Sequence, residues 1–433
     1  YIIKVIMIIE TVNQFRRFHS KFKSEDCIVI PISSDTNLHP KENTLSLLYI
    51  SFLDGKDYML PFNHSETINL DISYLDKLNS DNKKYTFNKK ELLHAIHLKN
   101  VIDVNLQYYM EYNVPLNVDD ISTLTHNFFN NKFYNRNNLN SIIPTMKHLE
   151  YCRKLSTELK KHINLPVHEY YNNDVLNNLQ YIESNGLKTL NDIVFSEYNL
   201  YTSTGRPSNR FGGVNFAALN KKDGSRKPYI SRFGADGMLV EFDYDAYHLR
   251  LIGNLIGYEF PKGSVHEHMA KFYGCDYKES KNRSFKYLYG RIPIEVVQMN
   301  PFFSKVHDYI NEIWSGYKKE DFITSNIYSK KIYRKNLSNM NKNKLFNYLI
   351  QLTETENNMR MLTDLISHLK EFKYESKLVL YSYDSFLFDF NMNDGTVFLN
   401  AVKDIIEQFG KYPTKVSKGT NYHQMKNITE KLA

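Results

Sequence analysis

Two apolar, β-prone runs of this chain each end by presenting an aspartate, and 141 residues separate the two acids. The first lies in Glu241-Phe242-Asp243-Tyr244-Asp245-Ala246-Tyr247-His248-Leu249-Arg250, the second in Tyr381-Ser382-Tyr383-Asp384-Ser385-Phe386. Nothing local brings Asp243 and Asp384 together at that separation; only a fold that sets two distant strands side by side does so. Between them, Lys281-x3-Phe285-x3-Tyr289-Gly290 places a cation and two aromatic rings at i, i+4 and i+8, one face of a helix. Each aspartate alone reads as an ordinary turn or strand-end residue, and an aromatic stripe on a helix more often faces a core. In this order, however, the blocks offer two carboxylates for a metal pair and a helix presenting Lys and aromatic rings. Nucleotidyl transfer from a nucleoside triphosphate needs those groups.

The length of 433 residues allows about two to three domains, each with its own core. The net charge of +7 permits a nucleic-acid partner without demanding one. Lys, Asn, Ile and Tyr are abundant, a bias common in AT-rich genomes, so scattered Asn and Lys carry little functional weight. Cys27, Cys152 and Cys275 are far apart, with no CxxC and no Cys/His cluster. Neither a zinc site nor a disulfide framework is suggested, and a reducing, cytoplasmic location is the simple reading. The apolar opening, residues 1–10, is broken by Lys4 and closed by Glu10. It is too short for a membrane span and lacks a signal-peptide layout, and Met7 reads as a candidate native start.

Cys27 to Ile32, Thr44 to Phe52 and Asp57 to Leu60 read as successive strands, with Asp54-Gly55 as a turn. Lys89 to Ile96 and Val101 to Tyr112 read as helices, giving an α/β domain over 1–146. Lys147 to His162 and Asp174 to Asn185 read as further helices, the second stopped by Asn185-Gly186. From Tyr201 the character changes. Thr204-Gly205-Arg206-Pro207-Ser208-Asn209-Arg210-Phe211-Gly212-Gly213 is a basic, glycine-rich loop. A strand over Met238 to Asp243, helices over Val265 to Gly274 and Lys278 to Tyr289, and a long helix over Leu345 to Phe372 follow. Lys377 to Tyr381 and Phe386 to Phe390 flank a tight turn that would hold Asp384 rigidly over a cleft.

Further candidates surround the three blocks. His266 stands 15 residues before Lys281. Asn347 and Gln351 are paired amides one helical turn apart, suited to minor-groove acceptors common to all base pairs. Arg206, Asn215, Arg226, Lys227 and Arg232 suit phosphate-backbone contact, although such basic segments are usually solvated surface.

The ordered blocks resemble motifs A, B and C of the family-A DNA polymerases, the bacterial DNA polymerase I-like and phage enzymes. The resemblance covers about 201–425, where Lys418-Gly419-Thr420-Asn421-Tyr422 resembles a terminal Gly-x-Asn-Trp. It implies an α+β right-hand fold with an antiparallel palm sheet, fingers over about 260–340 within 201–433, and a thumb. It also implies Asp243 and Asp384 as catalytic residues binding two Mg²⁺ ions, with Mn²⁺ as a substitute and the Tyr244 carbonyl as a further ligand. His248, His266, Lys278, Lys281, Phe285 and Tyr289 would hold the dNTP. Arg206, Asn215, Arg232, Asn347, Gln351 and Tyr383 would contact primer–template DNA.

The chain departs from that pattern in places. Tyr277 stands where motif B has Arg, with Lys278 beside it; His248 stands where motif A has a Glu that helps exclude a ribose 2′-OH; Ser385 replaces the Glu of motif C. Asp384-Ser385-Phe386 also echoes single-subunit phage RNA polymerases. The N-terminal segment resembles an RNase H-like 3′–5′ exonuclease domain without its acids. Pro31-Ile32-Ser33 replaces Asp-x-Glu, Asn88-Lys89-Lys90-Glu91-Leu92 replaces Asn-x3-Asp, and only Glu150 is left for the third acidic position. Without paired carboxylates no two-metal hydrolytic site forms. Only 18 residues separate Leu187 from Gly205, so the thumb is reduced or built from 147–200. The reading is a phage or viral DNA-replicating polymerase of the host cytoplasm, without proofreading, leaving room for a processivity or replisome partner. The alternatives are a primase-like or RNA-polymerizing relative using ribonucleotides, and a catalytically silent nucleic-acid-binding protein.

Overall fold

The computed structural model describes residues 7–130, 138–334 and 339–432; the first six residues of the apolar opening, and short stretches of the expected N-terminal domain and fingers, lie outside them. The chain forms two compact units, one running to Glu111 and resuming over Pro115–Ser184, the other comprising Tyr112–Val114 and the chain from Asn185 onward. The Thr145–Lys160 helix therefore belongs to the first unit.

The first unit is built on a mixed six-stranded sheet. Its strands run in the order Met7–Ile8, Asp57–Pro61, Leu45–Phe52, Cys27–Ser33, Lys84–Thr86 and Val101–Asp103. Every residue of Leu45–Phe52 is buried, as expected of a strand covered on both faces. Phe15, Phe18 and Phe22 of the Val12–Phe22 helix pack with one set of sheet side chains. Leu149, Cys152, Leu155 and Leu159 of Thr145–Lys160 pack with the other. The helix read over Val101 to Tyr112 begins later than its sequence suggested. Val101–Asp103 pairs in parallel with Lys84–Thr86, and the helix occupies Val104–Tyr112. Asp103 is the reason. Its buried carboxylate accepts from the backbone N–H groups of Leu106 and Lys89, both at 2.8 Å, so it terminates the strand and caps two helices at once.

The second unit centres on an antiparallel five-stranded sheet ordered Lys377–Ser382, Ser385–Asn391, Gly237–Tyr244, Thr414–Gly419 and Lys426–Asn427. Phe388 and Phe390 of the sheet meet Phe398 of the Gly395–Ile406 helix at ring-centroid distances of 5.7 and 5.6 Å. A second core joins five helices: Tyr247–Leu255, Val265–Tyr273, Tyr277–Tyr289, Pro301–Lys319 and Lys342–Phe372. Gly274 ends the Val265–Tyr273 helix in the left-handed conformation, φ 64°, as its sequence position predicts.

The Lys342–Phe372 helix has an unusual centre. Thr353, Glu354, Thr355, Glu356, Asn357 and Asn358 are all buried. Buried polar groups require partners, and these have them. Glu356 accepts from Ser325 Oγ at 2.6 Å and the Tyr328 N–H at 3.0 Å. The Tyr247 hydroxyl donates to Asn358 at 2.5 Å and accepts from Asn357 at 2.9 Å. The helix is a polar spine to which neighbouring elements are bonded. No helix among the described residues is long and apolar enough to cross a membrane.

Candidate active site

Strand register brings the two aspartates together. Gly237–Tyr244 pairs with Ser385–Asn391 so that Asp243 lies opposite Ser385, and the Tyr244 N–H donates to the Asp384 carbonyl at 2.9 Å. Tyr383 and Asp384 are the whole turn between the paired residues Ser382 and Ser385. Tyr383 adopts φ +60°, which costs a non-glycine residue about 1 kcal/mol. Two contacts hold it there: Asn358 Nδ2 donates to its carbonyl at 2.6 Å, and the Arg206 guanidinium lies 3.7 Å from its ring centroid.

Both acids line a pocket of about 400 Å³. Desolvation raises the Asp243 carboxyl above its ordinary pKa, with Lys221 opposing and Glu241 adding to the shift. Desolvation also pushes Asp384 up to about 6, reinforced by the charges of Asp243 and Glu354. Two desolvated carboxylates, one raised further by the charge of the other, form a site that a divalent cation would neutralise. The donor set fits Mg²⁺, which takes hard oxygen ligands and keeps positions for water and phosphate. Lys221 Nζ stands 3.6 Å from Asp243 and 3.4 Å from Glu241 as their present countercharge.

The Tyr277–Tyr289 helix divides its residues as the spacing requires. Ser280, Ser284 and Leu288 are buried, while Lys281, Phe285 and Tyr289 line the pocket. Phe285 and Tyr289 lie nearly parallel, 13° apart with centroids at 5.8 Å. The Asp276 side chain caps the helix by accepting from the Glu279 N–H at 2.8 Å. His266 joins the pocket from the preceding helix; desolvation pushes its imidazole down to about 4, so it is neutral near pH 7.

Asn347 and Gln351 line the pocket from the long helix, and Thr204 Oγ1 donates to Gln351 at 3.2 Å. One turn further along stands Glu354, a pocket residue that the sequence reading missed. It is 1% exposed. Its carboxylate meets Arg206 Nε at 2.9 Å and His248 Nε2 at 3.1 Å. Burial alone would raise its pKa, but His248 and Arg206 outweigh burial and hold the carboxyl below its ordinary value. The other ring nitrogen of His248, Nδ1, is hydrogen-bonded to the Tyr289 hydroxyl. The available signal was position: Glu354 follows Gln351 by three and Asn347 by seven, on the same helical face.

Other candidates lie apart from the pocket wall. Arg232 is committed to Asp389 at 2.8 Å and to the carbonyls of Asn185 and Gly186, both at 2.8 Å. Asn215 is an exposed residue of a short hairpin. Lys278 is exposed in the first turn of its helix. Tyr383 adjoins the pocket through Arg206. The Tyr422 hydroxyl donates to Glu241 at 2.7 Å, and Arg226 lies over its ring at 4.1 Å.

In the first unit, the Cys27–Ser33 strand ends in Ser33, and Glu150 is exposed and paired with Lys147 at 3.0 Å. Among the described residues, only His39, His94 and Glu183 form a group of three metal-capable side chains whose ligand atoms all lie within 4.8 Å of one another. Glu183 is already engaged by the Lys90 ammonium and by His94 Nε2, and His39 Nδ1 accepts from the Lys41 N–H at 3.1 Å. This cluster is a buried ion-pair network.

The antiparallel sheet, the helical layer bearing Lys281 and the long helix define the right-hand polymerase fold, of the α+β class. The polymerase domain of Pol1 from M. smegmatis, solved in complex with DNA primer-template and dNTP, is structurally similar, with a TM-score of 0.68. The match has 13% sequence identity and covers 97% of this chain and 99% of that one. No protein-family model and no curated protein sequence matches the chain.

Proposed function

We propose that the chain is a template-directed DNA polymerase that adds dNTPs to a primer 3′ end. One observation carries the reading: Asp243 and Asp384, joined across adjoining strands, share a pocket with Lys281, Phe285 and Tyr289. Two divalent ions held by these acids, with the Tyr244 carbonyl as a further ligand, would activate the 3′-oxygen and neutralise the leaving pyrophosphate. Lys281 places its charge against the triphosphate, and neutral His266 offers that end of the pocket a hydrogen-bonding group. Phe285 supplies a stacking face for the base, beside the ring of Tyr289. Arg206, Asn347 and Gln351 face the primer–template, in a chain whose fold neighbour was solved with such a duplex and a dNTP. We assign the role to phage or viral DNA replication in the host cytoplasm, with a thumb reduced to residues within 147–200 and a first unit that does not proofread.

A second reading, extension with ribonucleotides, is favoured by one feature: a histidine, His248, contacts the Tyr289 hydroxyl. Primer extension on a defined template with Mg²⁺ and either dNTPs or NTPs separates the two. Extension restricted to dNTPs supports the first reading, and equal use of both moves the assignment to the second. No extension with either set sinks the enzyme reading and leaves a silent nucleic-acid-binding protein. Loss of a labelled 3′ end without nucleotides would overturn the absence of proofreading.

A further inference from the structure

Glu354 has no role in the reaction outlined above, yet it joins the groups on both sides of the pocket. Its carboxylate receives His248 Nε2 on one side and Arg206 on the other. Because a carboxylate only accepts, His248 must present Nε2–H to it. The other ring nitrogen, Nδ1, is hydrogen-bonded to the Tyr289 hydroxyl, and the ring that carries this hydroxyl lies parallel to Phe285. On the other side, the Arg206 guanidinium lies 3.7 Å from the ring centroid of Tyr383, the residue before Asp384. A single buried acid thus connects the ring face of the finger helix to the turn that carries a metal-site aspartate.

The helix leaves Glu354 little freedom. Its neighbours Thr353, Thr355 and Glu356 are buried with it, so the carboxylate approaches His248 and Arg206 from a fixed backbone. A residue whose partners are preorganised by packing transmits position efficiently. Loss of its charge would leave Arg206 without its buried partner and His248 without the acceptor that holds its ring, which loosens the contact to Tyr289.

We propose that Glu354 is a positioning residue for the incoming nucleotide, acting through the His248 ring on Tyr289 and through Arg206 on Tyr383. The inference rests on the polymerase reading and deepens it.

The test uses the full chain with a primer–template whose primer ends in a dideoxynucleotide, so that dNTP binding is measured without turnover. Single-turnover extension is measured in parallel on an ordinary primer. Glu354→Ala should weaken dNTP affinity about tenfold, the scale of losing a residue that orients a contacting group. The maximal extension rate should change less, by under about threefold. Glu354→Gln, whose amide oxygen still accepts from Nε2–H, should recover most of the affinity. The His248→Ala/Glu354→Ala double variant should lose less dNTP affinity than the product of the two single losses, because the two changes share the His248 branch while only Glu354→Ala also releases Arg206. A merely structural role would lower the unfolding temperature without this dependence between the two sites. Should Glu354→Ala not fold, Glu354→Met fills the same space without an acceptor and takes its place. Unchanged dNTP affinity in a variant without the acceptor, or penalties that multiply in the double variant, would overturn the inference while wild-type extension left the polymerase reading intact. A wild-type chain that neither extends nor binds dNTP would sink that reading first.

Discussion

The backbone N–H of Tyr244 donates to the carbonyl of Asp384 at 2.9 Å. Through that bond and the adjoining Asp243–Ser385 pair, two acids remote in sequence acquire a spacing set by backbone geometry. Side-chain flexibility then contributes only the last rotation toward a cation.

Asp243→Asn and Asp384→Asn should each reduce primer extension by about 10³-fold, the scale of removing a principal electrostatic group from a transition state. Chelation should abolish extension and added Mg²⁺ restore it. Stability should move in the opposite direction. Asp384 titrates at about 6 in the folded chain, above the carboxylate range, so its ionised form opposes folding at neutral pH. Metal-free Asp384→Asn should therefore melt at or above the wild-type temperature by calorimetry. A clear drop would show that the carboxylate stabilises the fold.

Lys281→Ala should raise the KM for dNTP about 10- to 100-fold, the equivalent of one charge-assisted contact, with a smaller change in kcat. Steady-state kinetics at saturating primer–template measures both. An unchanged KM would remove Lys281 from the nucleotide site.

Gly237 opens the strand that ends at Asp243, and its packing admits no side chain. A Cβ there would fall 2.1 Å from Ser231 Oγ and 2.6 Å from Phe233 Cβ. Ser231 cannot turn away freely, because its hydroxyl donates to buried Asp389 at 2.6 Å. Gly237→Ala should cost about 1–3 kcal/mol in denaturant unfolding, and a neutral result would contradict this packing.

His148 gives the first unit a pH dependence. It is fully buried, and Nε2 donates to the Asn140 carbonyl at 2.7 Å. Desolvation pushes its pKa down to about 4, below the ordinary 6.5. The unfolded chain therefore binds a proton first as the pH falls. The stability contributed by neutral His148 is complete above about 6.5 and is lost between there and about 4, by at most about 1.4 kcal/mol per pH unit. His148→Gln keeps a donor without a titrating ring, and its unfolding free energy should fall less steeply across that interval. Parallel slopes would assign the dependence to other groups.

The sequence made the strands and pocket helix legible because each shows a strong local pattern. Val101–Asp103 was hidden, since Val101 and Ile102, standing almost directly before a helix, share its apolar character. Glu354 was hidden for another reason: its helix is buried on all sides at that level, so polar residues there produce no amphipathic period. The pairing of Arg232 was hidden as well, because sequence does not reveal that Asp389 lies opposite it. The meeting of Asp243 and Asp384 was legible only through motif order, because strand pairing over that distance leaves no local trace.

The two-residue turn at Tyr383 and Asp384 also constrains inheritance. Side chains alternate along the strand that follows. An added codon in the turn either bulges Asp384 away from Asp243 or slips the strand, exchanging Phe386 and Phe388 with Leu387 and Asp389 between two buried faces. A change in the count between Ser382 and Ser385 therefore disturbs the site in a way that a substitution within the turn does not.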